Sequence, residues 1–163
     1  MSKTYNFCPL CGSNLVDKTL NGHVKRACDK CDYVHWNNPL PVVAAVIPHV
    51  DGGLVLVKRA MPPCVGDWAL PAGFVDTDED PAHAVVREAK EECSLDIEIE
   101  KLLVIHATPA NQMLLVYLAK PVSAQPVFGD DASDAQVFTK DKLPANIAFS
   151  LHRGAIDTFF AGQ

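Results

Sequence analysis

Three glutamates crowd one short stretch of the chain. In PAHAVVREAKEEC, residues 81–93, Glu88, Glu91 and Glu92 stand at i, i+3 and i+4. On a helix they would share an arc about 100° wide. Like charges at those spacings destabilise a helix by roughly a few tenths of a kcal/mol per pair. They also sit toward the C-terminal end, where the helix dipole favours cations instead. A divalent cation would offset the repulsion, and a cluster of carboxylate oxygens suits Mg²⁺ or Mn²⁺. The alternative is a solvated charged face.

A second constellation precedes it. Cys8-Pro-Leu-Cys11 and Cys28-Asp-Lys-Cys31 are two Cys-x-x-Cys pairs with sixteen residues between them. Each pair forms a tight turn that aims two thiolates at one point, and two such turns complete a tetrahedron around Zn²⁺. Four thiolates leave no open position, so the zinc expected here is structural. A redox dithiol would need only one pair. Residues 13–27 read as a short hairpin with its turn at Asn21-Gly22.

These groups need a scaffold, and 163 residues that are 48% hydrophobic suit one compact domain with a small appendage. The expected boundaries are a four-cysteine ribbon over 1–37 and a catalytic domain over 38–163. No apolar run approaches the ~18 residues of a membrane span, and MSKTYNFCPL has no long apolar segment of the secretory kind. A cytoplasmic protein without a membrane partner is expected. The net charge of -6 argues against a broad grip on nucleic acid. The ribbon, with Lys3, Lys18, Lys25, Arg26 and Lys30 against Asp17, Asp29 and Asp32, is only mildly basic.

Asp80-Pro81 is a helix start, an N-cap acceptor followed by proline at the first helical position. Ala82, Val86, Ala89 and Cys93 form an apolar stripe on the same helix. The β-branched run 42–47 predicts a buried strand, and Asp51-Gly52-Gly53 predicts a turn into a second strand over 54–57, the two forming a hairpin. Residues 61–66 read as an exposed loop. Further strands are expected over 97–105, 113–119 and 136–139, an acidic loop over 129–134, and a closing helix over 147–160. Mixed strands and helices indicate an α/β or α+β layered fold. Tyr5, Phe7, Trp36, Phe74 and Tyr117 are available for stacking on a base. His49, His106 and His152 have no ligand spacing and read as ordinary.

With its preceding loop the acidic stretch becomes GFVDTDEDPAHAVVREAKEECSL, residues 73–95. It resembles the box of the Nudix hydrolases, Gly-x5-Glu-x7-Arg-Glu-apolar-x-Glu-Glu-x-Gly-apolar. Gly73, Glu79, Arg87, Glu88, Ala89, Glu91, Glu92 and Leu95 fall in register. Ser94 stands where the family has glycine, at a position expected to be left-handed and so strained for serine by about 1 kcal/mol. Trp68-x-Leu70-Pro71-x-Gly73 resembles the lead-in to the box. The ribbon followed by NNPLPVVAAVI, together with LPANIAFS, resembles the zinc-ribbon members, in particular the FAD/ADP-ribose pyrophosphatases. The NADH pyrophosphatases also carry a ribbon, but their Ser-Gln-Pro-Trp-Pro-Phe-Pro motif is missing here.

The resemblance implies an α/β/α sandwich with a mixed sheet and a metal-dependent hydrolysis of the pyrophosphate in ADP-ribose or FAD. An NADH-type dinucleotide pyrophosphatase and a non-catalytic nucleotide-sensing module are the alternatives. It further implies Glu88, Glu91, Glu92 and the Ala72 carbonyl as ligands of Mg²⁺ or Mn²⁺, with Arg87 paired to Glu79 to hold the helix against its loop. The general base would be a box glutamate or an acid of a later loop, Asp131 or Asp134. Arg59, Pro109, Asp131 and Asp134 are the candidate substrate-binding residues. Pro109 lies fourteen residues beyond Leu95, an offset that resembles the ADP-ribose-type members. Family likeness also implies a homodimer.

Overall fold

The computed structural model describes residues 5–129 and 131–162. Lys3 and Asp130, the latter within the acidic stretch 129–134, lie outside the described residues. The chain divides between Asn38 and Pro39 into two compact units.

In the first unit, β1 (Leu15–Leu20) and β2 (His23–Cys28) pair antiparallel, and β3 (Val34–His35) adds to β2. Asn21 and Gly22 both take positive φ, 50° and 79°, the backbone that a two-residue hairpin turn requires. Cys8, Leu15 and Cys28 form its small core.

The second unit is built around two sheets. One has the order β7-β4-β9-β8, from β7 (Ala72–Phe74), β4 (Leu40–Val46), β9 (Gln112–Ala119) and β8 (Ile99–Thr108). Within it β4 runs parallel to β9, while the other pairings are antiparallel. The second has the order β10-β5-β6, from β10 (Ala132–Phe138), β5 (Leu54–Arg59) and β6 (Trp68–Ala69). Alternate residues of β4 and β5 face opposite ways. Val43, Ala45, Val55 and Val57 pack with Ala84, Val85, Ala89 and Cys93 of α1 (Pro81–Cys93). Ala44, Val46, Leu54 and Leu56 pack with Ile156 and Phe160 of α2 (Ser150–Ala161). Burial on both sides explains the unbroken apolar runs. Each fully buried Leu or Val contributes about 1.5–3 kcal/mol. The result is the expected α/β/α sandwich with a mixed sheet. Among the described residues no helix is long and apolar enough to cross a membrane.

Four local expectations change. Strands β4 and β5 do not form a hairpin ladder: they meet at one bridge, Pro48 with Leu54, then join different sheets. Each is wanted in the middle of its own sheet, β4 between β7 and β9 and β5 between β10 and β6. The fully buried stripe of α1 is Ala84, Val85, Ala89 and Cys93, while Ala82 and Val86 flank it half-buried. Residues 132–134 belong to β10 and not to a loop, because the strand extends along Leu54–Arg59 with a bulge between Ala132 and Asp134. Helix α2 begins at Ser150 and not at 147, since the backbone of 146–148 is committed to Trp68: the Trp68 amide donates to Asn146 O at 2.9 Å and the Ala148 amide to Trp68 O at 2.8 Å.

Both ends of α1 are capped. The Asp80 carboxylate accepts the Ala82 amide at 2.8 Å, with Pro81 at the first helical position. Ser94 takes φ 57°, ψ 20°, and its amide donates to Lys90 O at 3.0 Å. The segment after β9 then crosses this end. The Val127 amide donates to Cys93 O at 3.0 Å and the Gly129 amide to Glu92 O at 3.1 Å. A Cβ at Gly129 would overlap the Glu91 carbonyl oxygen, so only glycine fits.

Ser94→Gly should stabilise the protein by about 0.5–1 kcal/mol, the relief of left-handed strain being partly offset by a more flexible unfolded chain. Urea unfolding of the two proteins checks this.

Candidate active site

The acidic site is arranged around Arg87. Its Nε and Nη2 donate to the two oxygens of Glu79, each at 2.9 Å. Nη1 donates to Glu88 at 2.8 Å and to Glu91 at 3.0 Å, and Nη2 also reaches Phe74 O at 3.1 Å. Glu79 in turn accepts the Asp76 amide at 3.1 Å. One planar cation thereby joins the helix to the loop before it. The Arg87 hydrogen bonds hold the Glu79 carboxyl down at about 2, against an ordinary 4.5. Arg87 itself is pushed further toward its charged form, first by Glu79.

The glutamates therefore differ. Glu91 is exposed and paired to Arg87. Glu88 is largely covered, and burial raises its carboxyl. Its carboxylate rests against Gly73, where a Cβ would overlap it. Glu92 points inward and accepts the Ala72 amide at 2.9 Å. Burial pushes it up to about 7, with the Glu88 charge adding to the rise. In this structure the repulsion between Glu88 and Glu91 is offset by Arg87. Among the described residues, the group of acids, histidines or cysteines whose ligand atoms converge within 4.8 Å is the four cysteines, not the three glutamates. The carboxylate set nonetheless has the oxygen chemistry of a hard divalent ion, and Gly73, lacking a Cβ, lets the Glu88 carboxylate lie against the backbone beside the Ala72 carbonyl.

Glu88 and Glu92 form part of the wall of a cavity of about 830 Å³. Arg59, Pro109 and Asp131 also line it, as do Ala72, Gly73 and Arg87. Glu91, Glu79 and Asp134 are not among the lining residues. Asp134 accepts Gln136 Nε2 at 2.7 Å on the exposed side of β10. Asp131 is placed by its backbone carbonyl, which accepts the Ala60 amide at 3.1 Å. Of the aromatic side chains available for stacking, Phe74 borders the cavity, Tyr117 is buried in the core, and Tyr5 stacks on His35 at 4.3 Å. Sequence reasoning missed Phe149 and His152, which both line the cavity. The Phe149 ring lies under the Arg59 guanidinium at 5.1 Å and edge-on to His152 at 5.0 Å. Phe149 lies within LPANIAFS, noted only for family likeness, and His152 two residues beyond it was read as ordinary.

In the ribbon all four Sγ atoms of Cys8, Cys11, Cys28 and Cys31 lie within 4.8 Å of one another. The Cys8–Cys31 and Cys11–Cys28 separations are 3.5 and 3.6 Å. A disulfide would be about 2.05 Å. Tetrahedral zinc with bonds of about 2.3 Å sets edges near 3.8 Å. The Lys30 amide donates to Cys28 Sγ at 3.3 Å, which stabilises thiolate charge. By contrast, burial pushes the Cys93 thiol up to about 12, and Cys64 stands exposed.

The family model described as the NUDIX domain matches residues 39–159. The ADP-ribose pyrophosphatase of Methanocaldococcus jannaschii is 31% identical over 136 residues, covering 80% of each chain. The NAD-capped RNA hydrolase NudC of Pseudomonas entomophila is 27% identical over 165 residues, 98% of this chain and 58% of that relative. A NUDIX hydrolase structure from Nitrosomonas europaea superposes with a TM-score of 0.86 at 27% identity, covering 98% of this chain and 94% of its own.

The Glu79 carboxyl gives a pH signature. The native chain takes this proton near 2, the unfolded chain near 4.5. Its contribution is therefore present above 4.5 and lost as pH falls from 4.5 toward 2. Glu79→Gln should lower stability at pH 7 and flatten that acid limb, as read from denaturant midpoints across the window.

Proposed function

Because the chain belongs to the Nudix family and is a pyrophosphohydrolase, we propose that it cleaves the pyrophosphate bond of ADP-ribose or FAD, releasing AMP. The cavity carries this reading: a space of about 830 Å³ has Glu88 and Glu92 on one part of its wall and Arg59, Pro109 and Phe149 on another. It can take a nucleoside diphosphate joined to a second group. The likeness to an ADP-ribose pyrophosphatase at 31% identity supports the same substrate class. The likeness to an NAD-capped RNA hydrolase over nearly the whole chain favours a second reading, a substrate that carries an NAD-type dinucleotide.

Glu88, Glu91, Glu92 and the Ala72 carbonyl would hold Mg²⁺ or Mn²⁺. Such an ion supplies charge screening of the phosphate oxygens and orients the attacking water. The remaining work falls to the chain. Arg87 holds Glu88 and Glu91 together on one arc of α1 and ties them to the Phe74–Glu79 loop. The Ala72 amide fixes Glu92. Asp131, at the cavity wall near Glu92, accepts a proton from the attacking water as the water oxygen bonds to one phosphorus; the bridging P–O bond breaks and the departing phosphate leaves with the bridging oxygen and its electron pair. Asp134 lies outside the wall and takes no part. The four cysteines would hold Zn²⁺ as a cross-link of the ribbon.

The substrate test is AMP release from FAD, ADP-ribose, NADH and diadenosine polyphosphates with Mg²⁺ or Mn²⁺. ADP-ribose or FAD should give the highest kcat/KM, and absence of AMP from all of them defeats the reading. Asp131→Asn should lower kcat by about 10²–10⁴-fold with little change in KM, while Asp134→Asn should stay within about twofold of wild type. Elemental analysis should find about one zinc per chain. Chelation should speed amide exchange in residues 5–38 while leaving the strands of the catalytic unit protected. Slow exchange in both units after metal removal would overturn the zinc assignment.

A further inference from the structure

His152 stands in the first turn of α2 and is only 4% exposed. Its Nδ1 accepts the Leu70 amide hydrogen at 3.2 Å. That bond fixes the tautomer, because a neutral imidazole accepting at Nδ1 carries its proton on Nε2. Burial holds the ring neutral, with its pKa down at about 4. The Nε2–H has no protein acceptor among the described residues. No buried side-chain nitrogen or oxygen among them lacks a partner, so Nε2 must reach open space. The open space that His152 borders is the cavity.

Arg59 offers a second unspent donor. Its Nε donates to Pro63 O at 2.8 Å and its Nη2 to Met61 O at 3.2 Å, which leaves Nη1 without a protein acceptor among the described residues. Arg59 and His152 flank Phe149 at 5.1 and 5.0 Å. The pair stands beside the carboxylates. Leu70 anchors His152 and Ala72 anchors Glu92, through amides two residues and therefore at most about 7 Å apart. Arg59 acts electrostatically on both Glu92 and His152. An acceptor suited to one cationic and one neutral donor, this close to a phosphoryl-transfer centre, is an anionic phosphate oxygen.

We propose that the His152 Nε2–H, together with Arg59 Nη1, donates to a non-bridging oxygen of the substrate's diphosphate. His152 is then a substrate contact locked into its donor tautomer by the backbone of the strand segment that also anchors Glu92. The inference rests on the reading of this cavity as the pyrophosphate site.

Two substitutions separate the roles of the ring. His152→Asn keeps an oxygen acceptor for the Leu70 amide and removes the cavity donor. His152→Gln keeps a donor near the Nε2 position. His152→Asn should lower kcat/KM by about 10- to 100-fold, and His152→Gln should recover most of the loss. Equal activity of wild type and His152→Asn overturns the proposal. The wild-type protein gives an independent readout through its ¹⁵N-imidazole NMR spectrum. The α,β-methylene analogue of ADP-ribose and methylene diphosphonate should both shift the Nε2–H resonance, and adenosine should not. A resonance that neither phosphonate moves, or that adenosine moves as much, sinks the phosphate contact. If no compound yields AMP, the enzymatic reading fails, and the methylene diphosphonate titration still decides whether His152 meets a diphosphate.

Discussion

The active-site half of this molecule depends on how one guanidinium is shared. Arg87 meets Glu79, Glu88, Glu91 and the Phe74 carbonyl, all between 2.8 and 3.1 Å. Three carboxylates on neighbouring turns of chain would otherwise push the helix and its loop apart. With Arg87 between them, the loop from Phe74 to Glu79 and the helix from Pro81 form one rigid corner. Lysine could not replace it, since a point charge cannot hold both Glu79 oxygens and still reach two further acids. The cation also sorts the glutamates into different states. Glu91 lies exposed on Arg87, while burial pushes Glu92, which accepts the Ala72 amide instead, up to about 7.

The sheets matter to this corner because β4 and β5 are covered on both faces. Their alternation splits the core into one half under α1 and another under α2. The cavity opens where the two halves meet, at the Leu70–Gly73 segment. Backbone amides of that segment serve side chains from both helices, His152 from α2 and Glu92 from α1. A change in either helix position is thus felt within a few ångströms of the chemistry.

Much of this was legible in the sequence where the cause is local. Asp80-Pro81 announces the start of α1 because a cap and a proline act within one turn. Asn21-Gly22 announces its hairpin because both residues tolerate positive φ. Ser94 reads as left-handed for the same kind of reason. The four cysteines converge because turn geometry sets each pair. What failed depends on distant partners. The β4–β5 hairpin was a sound local inference, overruled because each strand finds better neighbours elsewhere. The start of α2 moved because Trp68 captures 146–148. Phe149 and His152 carry no spacing signal, since their role comes from lying beside residues some eighty positions earlier. Asp131 and Asp134 look equivalent in the sequence, but Asp131 precedes β10 and lines the cavity, while Asp134 lies within the strand, paired opposite Lys58.

The seam where Gly129 lies against the end of α1 has a consequence for traffic through the cavity. Its amide and that of Val127 are bonded to the last carbonyls of the helix, with no room for a side chain between. The Asp131 side of the mouth is therefore riveted to the catalytic helix and cannot swing outward alone. The Ala60 amide is bonded in turn to Asp131 O, so the exposed Met61–Pro63 rim of the cavity is joined through Asp131 to the same seam.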